Sequence, residues 1–467
     1  MPEDEQRMGS RGLEASLPWL LTRAAARRRG SAPRRGRAPL RTNMLGGVAG
    51  NALEWYDFAI LGFLAPQIGR NFFPSDDPLV SLLGAFGVFA AAFLARPAGG
   101  LLFGYIGDRR GRKTSLQLSV ALMAVPTFLV GLLPTYRDAG VLAPLLLVLL
   151  RMAQGLSVGG ELVGSIAFVA ENAPEERRGY YCSWTFASEY GGMMLGSLLT
   201  AGLSLGLGAQ AMDSWGWRVP FLAGALIAVV AFWMRKSLSE TPVFLALEDR
   251  KRLGRNPVAE AVQLVPERIL HLFFLVILVG AGFYTLFVWW PTYLGSVLRP
   301  DVPGVAGLNA FSLLLLMVFI PFTGSLSDRL GRKPLLVWSC AGMTVFTLPL
   351  FQLAQQGGVA GLFVSQTAFT ALMALYLGPV PAALVEMFPP RMRYSAMGIG
   401  YNLSLCVFGG AAPVAATWLM QGRETAFAPA LVLTVLSGIN LLAALTMRER
   451  SPGAADGVPG KRSRDLA

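Results

Sequence analysis

GYIGDRRGRK, residues 104–113, and GSLSDRLGRK, residues 324–333, are two versions of one pattern set 220 residues apart. In each, a glycine (Gly104, Gly324) precedes an aspartate (Asp108, Asp328). An arginine follows (Arg109, Arg329), then a glycine (Gly111, Gly331) and a basic pair (Arg112 and Lys113, Arg332 and Lys333). Each copy lies where one long apolar stretch ends and the next begins. A charged, glycine-marked hairpin repeated at the same place in two halves marks a duplicated membrane chain.

Composition points the same way. Of 467 residues, 54% are hydrophobic and 15% charged, against about 25% charged in soluble domains. Mean hydropathy is +0.51. A membrane-crossing helix needs roughly 20 apolar residues. Twelve candidates stand out, over 44–69, 79–105, 115–134, 141–170, 180–208, 217–234, 269–297, 305–326, 334–354, 357–387, 396–420 and 425–446. The prediction is an all-α integral membrane protein with twelve transmembrane helices in two six-helix bundles.

A net charge of +12 invites a nucleic-acid partner until the positions are read. With the N-terminus inside, 33 of the 40 Lys and Arg fall on inside segments and five on outside loops; Arg96 and Arg151 lie within helices. That is the positive-inside bias. It places both termini in the cytoplasm, excludes nucleic acid, and leaves the lipid bilayer as the anionic surface these side chains meet. Cys182, Cys340 and Cys406 fall in apolar segments with no CxxC, so neither disulfides nor a zinc site is expected. His271, the sole histidine, sits at the inner end of helix 7, an interfacial place rather than a proton relay. No metal, cofactor, nucleotide loop or catalytic constellation is expected, which argues against an enzyme.

Residues 1–43 hold ten arginines and four acids among small residues and prolines. They read as a disordered basic cytoplasmic tail, or as an over-long start with Met44 the effective beginning. A transit peptide fits less well, because acids open the chain. The first bundle is expected over 44–234, a charged cytoplasmic loop over 235–268, the second bundle over 269–447 and a basic cytoplasmic tail over 448–467.

The hairpins are read through helix-end electrostatics. Asp108, at the inner end of helix 2, is placed to cap the start of a neighbouring helix in one conformation. Arg109, Arg112 and Lys113 hold the turn in the cytoplasm, and Gly104 and Gly324 permit close helix approach. One copy alone is no more than a positive inner loop. Two in register predict a latch that shuts the inner gate while the outer gate is open.

The helices also carry charge. Helix 1 has Glu54 and Asp57, three apart and on one face. Helix 2 has Arg96 at a similar depth, so a Glu54–Arg96 ion pair is expected. Helix 4 has Arg151, then Gln154 and Glu161, seven apart on one face. Helix 5 has Glu189. Ionisable groups inside a membrane mark ion or substrate paths. Four acids against two arginines leave at least two acids unpaired. Asp57, Arg151 and Glu189 are expected to face the cavity; for Glu54 with Arg96, bracing weighs as heavily. An unpaired carboxylate in low dielectric binds and releases a proton near neutrality, as proton symport requires.

The second half differs. Between 272 and 446 the acids are Asp301, Asp328, Glu386 and Glu424, all at helix ends or in loops. The interior offers Tyr284, Trp289, Trp290, Tyr293, Gln366, Tyr376, Tyr401 and Asn402 instead. The expected division is coupling chemistry in the first half and a neutral aromatic wall in the second, with Tyr284, Tyr401 and Asn402 at the cavity. Trp289 to Tyr293, at the outer end of helix 7, fit lipid-interface anchors. Gly378–Pro379, and Gly409–Gly410 with Pro413, are predicted bending points.

At these residues the chain resembles the metabolite:proton symporters of the major facilitator superfamily. The matching stretches are LEWYDF (53–58), FLARPAGGLLFGYIGDRRGRK (93–113), RMAQGLSVGGE (151–161), WGWRVPFL (215–222), SLSETPVF (237–244), FYTLFVWWPTYL (283–294), and EMFPPRMRYSAMGIGYNLS onward to FGGAAP (386–413). The resemblance implies the major facilitator fold. It also implies proton-coupled uptake of a small organic acid or zwitterion by alternating access across a bacterial inner membrane. Carriers of this kind take proline, betaine, shikimate, citrate or α-ketoglutarate. Substrate and protons are then the partners of a monomer. Two departures stand out. The tail from Ser451 has no heptads, which argues against osmotic gating. Glu189 lies outside the family pattern, and an extra buried anion favours a zwitterion or monoanion over a dianion. An uncoupled facilitator or exporter is the alternative of the same fold. A membrane receptor is a third reading, but head and tail are too short for a sensory domain.

Overall fold

Twelve long helical segments follow one another in the computed structural model, which describes residues 39–76, 78–290, 305–419 and 427–449. They are α1 (Leu40–Phe63), α2 (Pro78–Arg110), α3 (Arg112–Leu132), α4 (Leu142–Asn172), α5 (Arg178–Ala211) and α6 (Arg218–Lys236). Then come α7 (Pro266–Leu275), α8 (Val305–Leu330), α9 (Arg332–Gln356), α10 (Gly358–Leu377), α11 (Arg393–Ser404) and α12 (Ala428–Thr446). Residues 1–38 and 450–467, and with them Tyr293, Asp301 and Glu424, lie outside the described residues.

Among the described residues ten of these segments are long and apolar enough to cross a membrane, the seventh counted from Pro266 through its π turns to Trp289; α1 and α11 are not among them. The reason is in their sequences. Asn43, Asn51, Glu54 and Asp57 dilute α1, and all four are buried. α11 is polar, and it leaves α geometry after Ser404 for a π turn over Leu405–Gly409. The first helix opens at Leu40, four residues before the expected start. Residues 235–268 are more ordered than a loop. They hold helices Pro242–Asp249 and Pro257–Leu264, each with proline in the first turn. Thr241 Oγ1 accepts from Phe244 N–H and Asn256 Oδ1 from Ala259 N–H, both at 3.2 Å, satisfying first-turn donors.

The first and last six helices meet along two lines, α2 on α11 and α5 on α8. The hairpin glycines permit this. A Cβ on Gly104 would lie 2.7 Å from Ser395 Cα, and one on Gly324 would lie 2.7 Å from the Gly179 carbonyl oxygen. Gly111 and Gly331 are the single residues joining α2 to α3 and α8 to α9. Their φ values of +110° and +95° are strained for any side chain.

Helix 7 departs from α geometry without a proline. Asn440 of α12, fully buried, clasps the break. Its Oδ1 accepts from Leu278 N–H at 3.0 Å and its Nδ2 donates to Leu275 O at 3.2 Å. Tyr376 OH donates to the same carbonyl. Beyond the break, π turns over Leu278–Gly282 and Tyr284–Trp289 present wide turns of the kind found at functional sites. They carry Phe283, Tyr284, Trp289 and Trp290 into the protein, where none is more than 7% exposed. Trp290 packs on Phe351 with centroids 4.3 Å apart. Trp289 and Trp290 are therefore core residues, not lipid-interface anchors, because the π turns rotate them inward. Turns interrupt α10 at Gly378–Pro379 and α11 at Gly410–Ala411, where the sequence predicts bends. His271 Nε2 meets Ala443 O at 2.8 Å, tying α7 to α12. The three cysteines are free.

Candidate functional site

The first four N–H groups of a helix lack internal partners, and its N-terminus carries a partial positive charge. Asp108, ending α2, accepts from Tyr394 and Ser395 N–H at 3.3 and 2.8 Å, at the start of α11. Asp328, ending α8, accepts from Gly179 and Tyr180 N–H at 2.7 and 2.9 Å, at the start of α5. Each aspartate thus caps a helix of the opposite half.

Behind each cap stands an ion cluster. Arg112 meets Asp108 and Glu171, both at 3.2 Å, and Glu171 meets Arg393 at 3.0 Å. In the second copy Arg332 meets Asp328 at 2.7 Å and Glu386 at 3.3 Å, and Glu386 lies 3.8 Å from Arg178. A further acid caps the helix after each hairpin. Glu240 accepts from Arg112 and Lys113 N–H at 3.1 Å. Glu449 accepts from Arg332 N–H and, at 3.2 Å, from Lys333 N–H. Burial pushes the Glu240 carboxyl above its usual range, against the hydrogen bonds it accepts and the charge of Arg112. Lys113 Nζ donates to Leu238 O at 2.5 Å. Arg109 donates to Arg255 O and lies over Tyr105, and Arg329 is exposed.

The acids inside the first six helices are sorted by partner. Asp57 of α1 pairs with Arg151 of α4. It also accepts from Thr127 Oγ1 at 3.0 Å and Gln154 Nε2 at 3.1 Å. Glu161 pairs with Arg235, whose Nη1 donates to its Oε2 at 2.8 Å, and Ser119 Oγ donates to the same oxygen at 2.5 Å. Arg235 is a third interior arginine. The sequence reading places it at the start of the central loop, yet it is fully buried at the end of α6. Gln154 and Glu161 serve different acid–arginine pairs.

The expected Glu54–Arg96 ion pair is absent. Arg96 makes no ion pair within 4 Å among the described residues; its guanidinium lies over the Phe93 ring, 5.2 Å from the centroid. Depth in the membrane put the two side by side, but the azimuth of Arg96 on α2 turns it to the ring. Glu54 and Glu189, both 2% exposed, likewise have no ion-pair partner within that distance. They form a central group with Arg96, Trp55, Tyr284 and Tyr401, whose charges and hydroxyls act on one another. Asn402 is engaged between the halves: its Nδ2 donates to Gly159 O at 2.7 Å and to Gly398 O at 2.8 Å. Gln366 donates to Leu286 O at 3.3 Å. A cavity of about 260 Å³ is lined by Ala281, Phe408, Ala415, Leu433 and other mostly apolar neighbours with Thr285, and by no charged group.

Two matching helix caps between the halves, around buried acid–arginine pairs and on apolar helices of membrane-crossing length, are the features of a multi-pass membrane carrier. Comparison with known proteins narrows the class. Residues 44–269 match the sugar (and other) transporter family, and residues 272–465 match the Major Facilitator Superfamily. The glycine betaine/proline/ectoine/pipecolic acid transporter OusA of Dickeya dadantii is 35% identical over 421 residues, covering 88% of this chain and 83% of its own. The proline/betaine transporter of Escherichia coli K12 is 34% identical, covering 88% and 84%. Among solved structures, the proton:xylose symporter XylE bound to 6-bromo-6-deoxy-D-glucose superposes with a TM-score of 0.73 at 18% identity, over 88% of this chain and 96% of that one. That likeness establishes the fold. The chain belongs to the major facilitator superfamily and, within it, to the metabolite:proton symporter family that includes the proline/betaine transporters. It is a transporter, not an enzyme.

Proposed function

We propose that this protein is a proton-coupled symporter that imports a small zwitterion of the proline or betaine kind across the bacterial inner membrane. It works as a monomer with both termini cytoplasmic. Residues 40–236 and 266–446 form its two bundles, and 237–265 forms a cytoplasmic connector. The zwitterion comes from the relatives, whose names carry proline, betaine, ectoine and pipecolic acid. Proton symport appears in the name of the structural neighbour.

The observation that carries coupling is the Asp57–Arg151 pair. It is buried, and Nε and Nη2 of Arg151 have no partner. Breaking a buried pair is costly because it strands a charge. A proton on Asp57 releases Arg151 and uncouples α1 from α4, and loss of the proton restores the pair. Asp108 and Asp328, capping α11 and α5, hold the cytoplasmic end shut in this state. Release of both caps opens it, so binding and access alternate.

Uptake into proteoliposomes tests the reading. Labelled proline, glycine betaine, shikimate, citrate and α-ketoglutarate are offered with and without an inward proton gradient. Accumulation of proline or glycine betaine only under the gradient is expected. Equilibration without accumulation would make the protein an uncoupled facilitator.

A further inference from the structure

The central group contains five buried polar atoms that complete no hydrogen bond of good geometry. They are Glu189 Oε1, Glu54 Oε2, Arg96 Nε, the indole N–H of Trp55 and the hydroxyl of Tyr284, although Trp55 faces Glu189 and Arg96 faces Tyr284 as donor to acceptor. Leaving one such group dry and unpaired costs on the order of 1–3 kcal/mol, and more when it is charged. Orphans of this kind are few in a native protein. Five in one place, drawn from α1, α2, α5 and the π turn that follows α7, mark a place built for something else.

They converge. The charges acting most strongly on Glu189 are Glu54 and Arg96, and the Trp55 N–H faces its carboxylate without completing a hydrogen bond. Tyr284 answers to Arg96, Glu189 and Glu54 together. The walls are aromatic. Trp55 meets Phe283 edge-on at 5.5 Å between centroids and lies nearly parallel to Tyr284 at 6.3 Å. Tyr190 meets Phe283, and Phe93 meets Tyr284, each at 5.5 Å.

An ammonium nitrogen that carries alkyl groups has few or no N–H donors. It is held by aromatic faces and by negative charge, the pattern of quaternary-ammonium sites. Here two carboxyl groups stand against one guanidinium, since Asp57 and Glu161 have arginines of their own, and an arriving cation favours the ionised form of both. A cation is favoured, and the planar fork of Arg96 suits one carboxylate. We propose that Glu189 and Glu54, with the faces of Trp55, Phe283 and Tyr284, seat the alkylated ammonium end of the transported zwitterion, while Arg96 takes its carboxylate. This rests on the symport reading only for the cargo being a zwitterion. It assigns Glu189 as the residue that rejects dicarboxylates, whose second carboxylate meets the acids with no second arginine.

The test is equilibrium binding of labelled glycine betaine to the full chain in lipid nanodiscs, without any gradient. In the wild type, tetramethylammonium should compete and acetate at the same concentration should not. Glu189→Gln should weaken binding at least about tenfold, with part of the loss recovered in Glu189→Asp. Trp55→Phe should bind better than Trp55→Leu. Wild-type binding that tetramethylammonium does not displace overturns the proposal, as does wild-type affinity in Glu189→Gln or no betaine binding at all. Failure of the symport reading looks different: binding and its competition persist while the gradient drives no uptake.

Discussion

Asp108→Asn separates a latch from a merely basic loop. Two N–H groups at the positive end of α11 are held by the Asp108 carboxylate, at 3.3 and 2.8 Å. Asparagine keeps one acceptor oxygen and loses the charge. A partly buried anion at a helix N-terminus is worth up to about 2 kcal/mol. Arg112 is not stranded by the change, because it keeps Glu171 at 3.2 Å and the carbonyl oxygens of Gly107 and Pro390 at 2.8 and 2.6 Å. The loss therefore falls on the state in which α2 touches α11. A shift of about 2 kcal/mol changes the balance of gate states by about 30-fold. Initial uptake rates in proteoliposomes should fall by roughly 10- to 30-fold, while the yield of monodisperse protein changes little. Ser115 reports the gate. It is fully buried, and its hydroxyl donates to Tyr394 OH at 3.0 Å. In a background free of native cysteines, Ser115→Cys should be labelled faster by a polar maleimide from the hairpin side when Asp108→Asn is present. Wild-type uptake with unchanged labelling would refute the latch.

Three further outcomes are expected. Asp57→Asn should flatten the pH dependence of uptake while leaving substrate exchange intact; an unchanged pH profile removes Asp57 from the coupling path. Glu161→Gln alone strands buried Arg235 and should cost about 3–5 kcal/mol of stability, read as a fall in thermal midpoint, and Glu161→Gln with Arg235→Met should recover most of it. Burial raises the Glu240 carboxyl, so the folded chain binds that proton more readily than the unfolded one. The group thus favours folding as pH falls toward the ordinary carboxylate range and disfavours it above. The thermal-midpoint gap between wild type and Glu240→Gln should narrow from about pH 5 to about pH 8; a gap that widens would show a cap valued for its charge.

The hairpins and the membrane helices were legible because both repeat: glycine, aspartate and basic residues recur at fixed spacing, and apolar runs recur at membrane length. Partners were harder to read. Glu161 and Arg235 are 74 residues apart. Arg235 stands beside Lys236 at a helix end, where a cation normally serves the inner loop. The ion clusters behind the caps left a signal that a search at a second offset would find. Glu171, Pro174 and Arg178 recur 215 residues later as Glu386, Pro389 and Arg393. In both copies the acid ends one helix, the proline breaks it, and the arginine opens the next. The Glu54–Arg96 ion pair was expected because depth follows from sequence; the two charges act on one another but lie beyond ion-pair distance, and azimuth, which sequence does not give, decides that. Trp289 and Trp290 stood between two readings, interior wall and lipid-interface anchor, for a related reason: hydropathy does not separate an aromatic facing lipid from one facing protein, and burial decides for the interior. The π turns that rotate them have no proline to announce them.

Proton movement itself tests the central claim. Proteoliposomes loaded with a pH-sensitive dye, and given glycine betaine or proline outside, should acidify within as substrate enters. Asp57→Asn liposomes should exchange substrate with no acidification. Substrate entry through the wild-type protein at constant internal pH would contradict proton coupling.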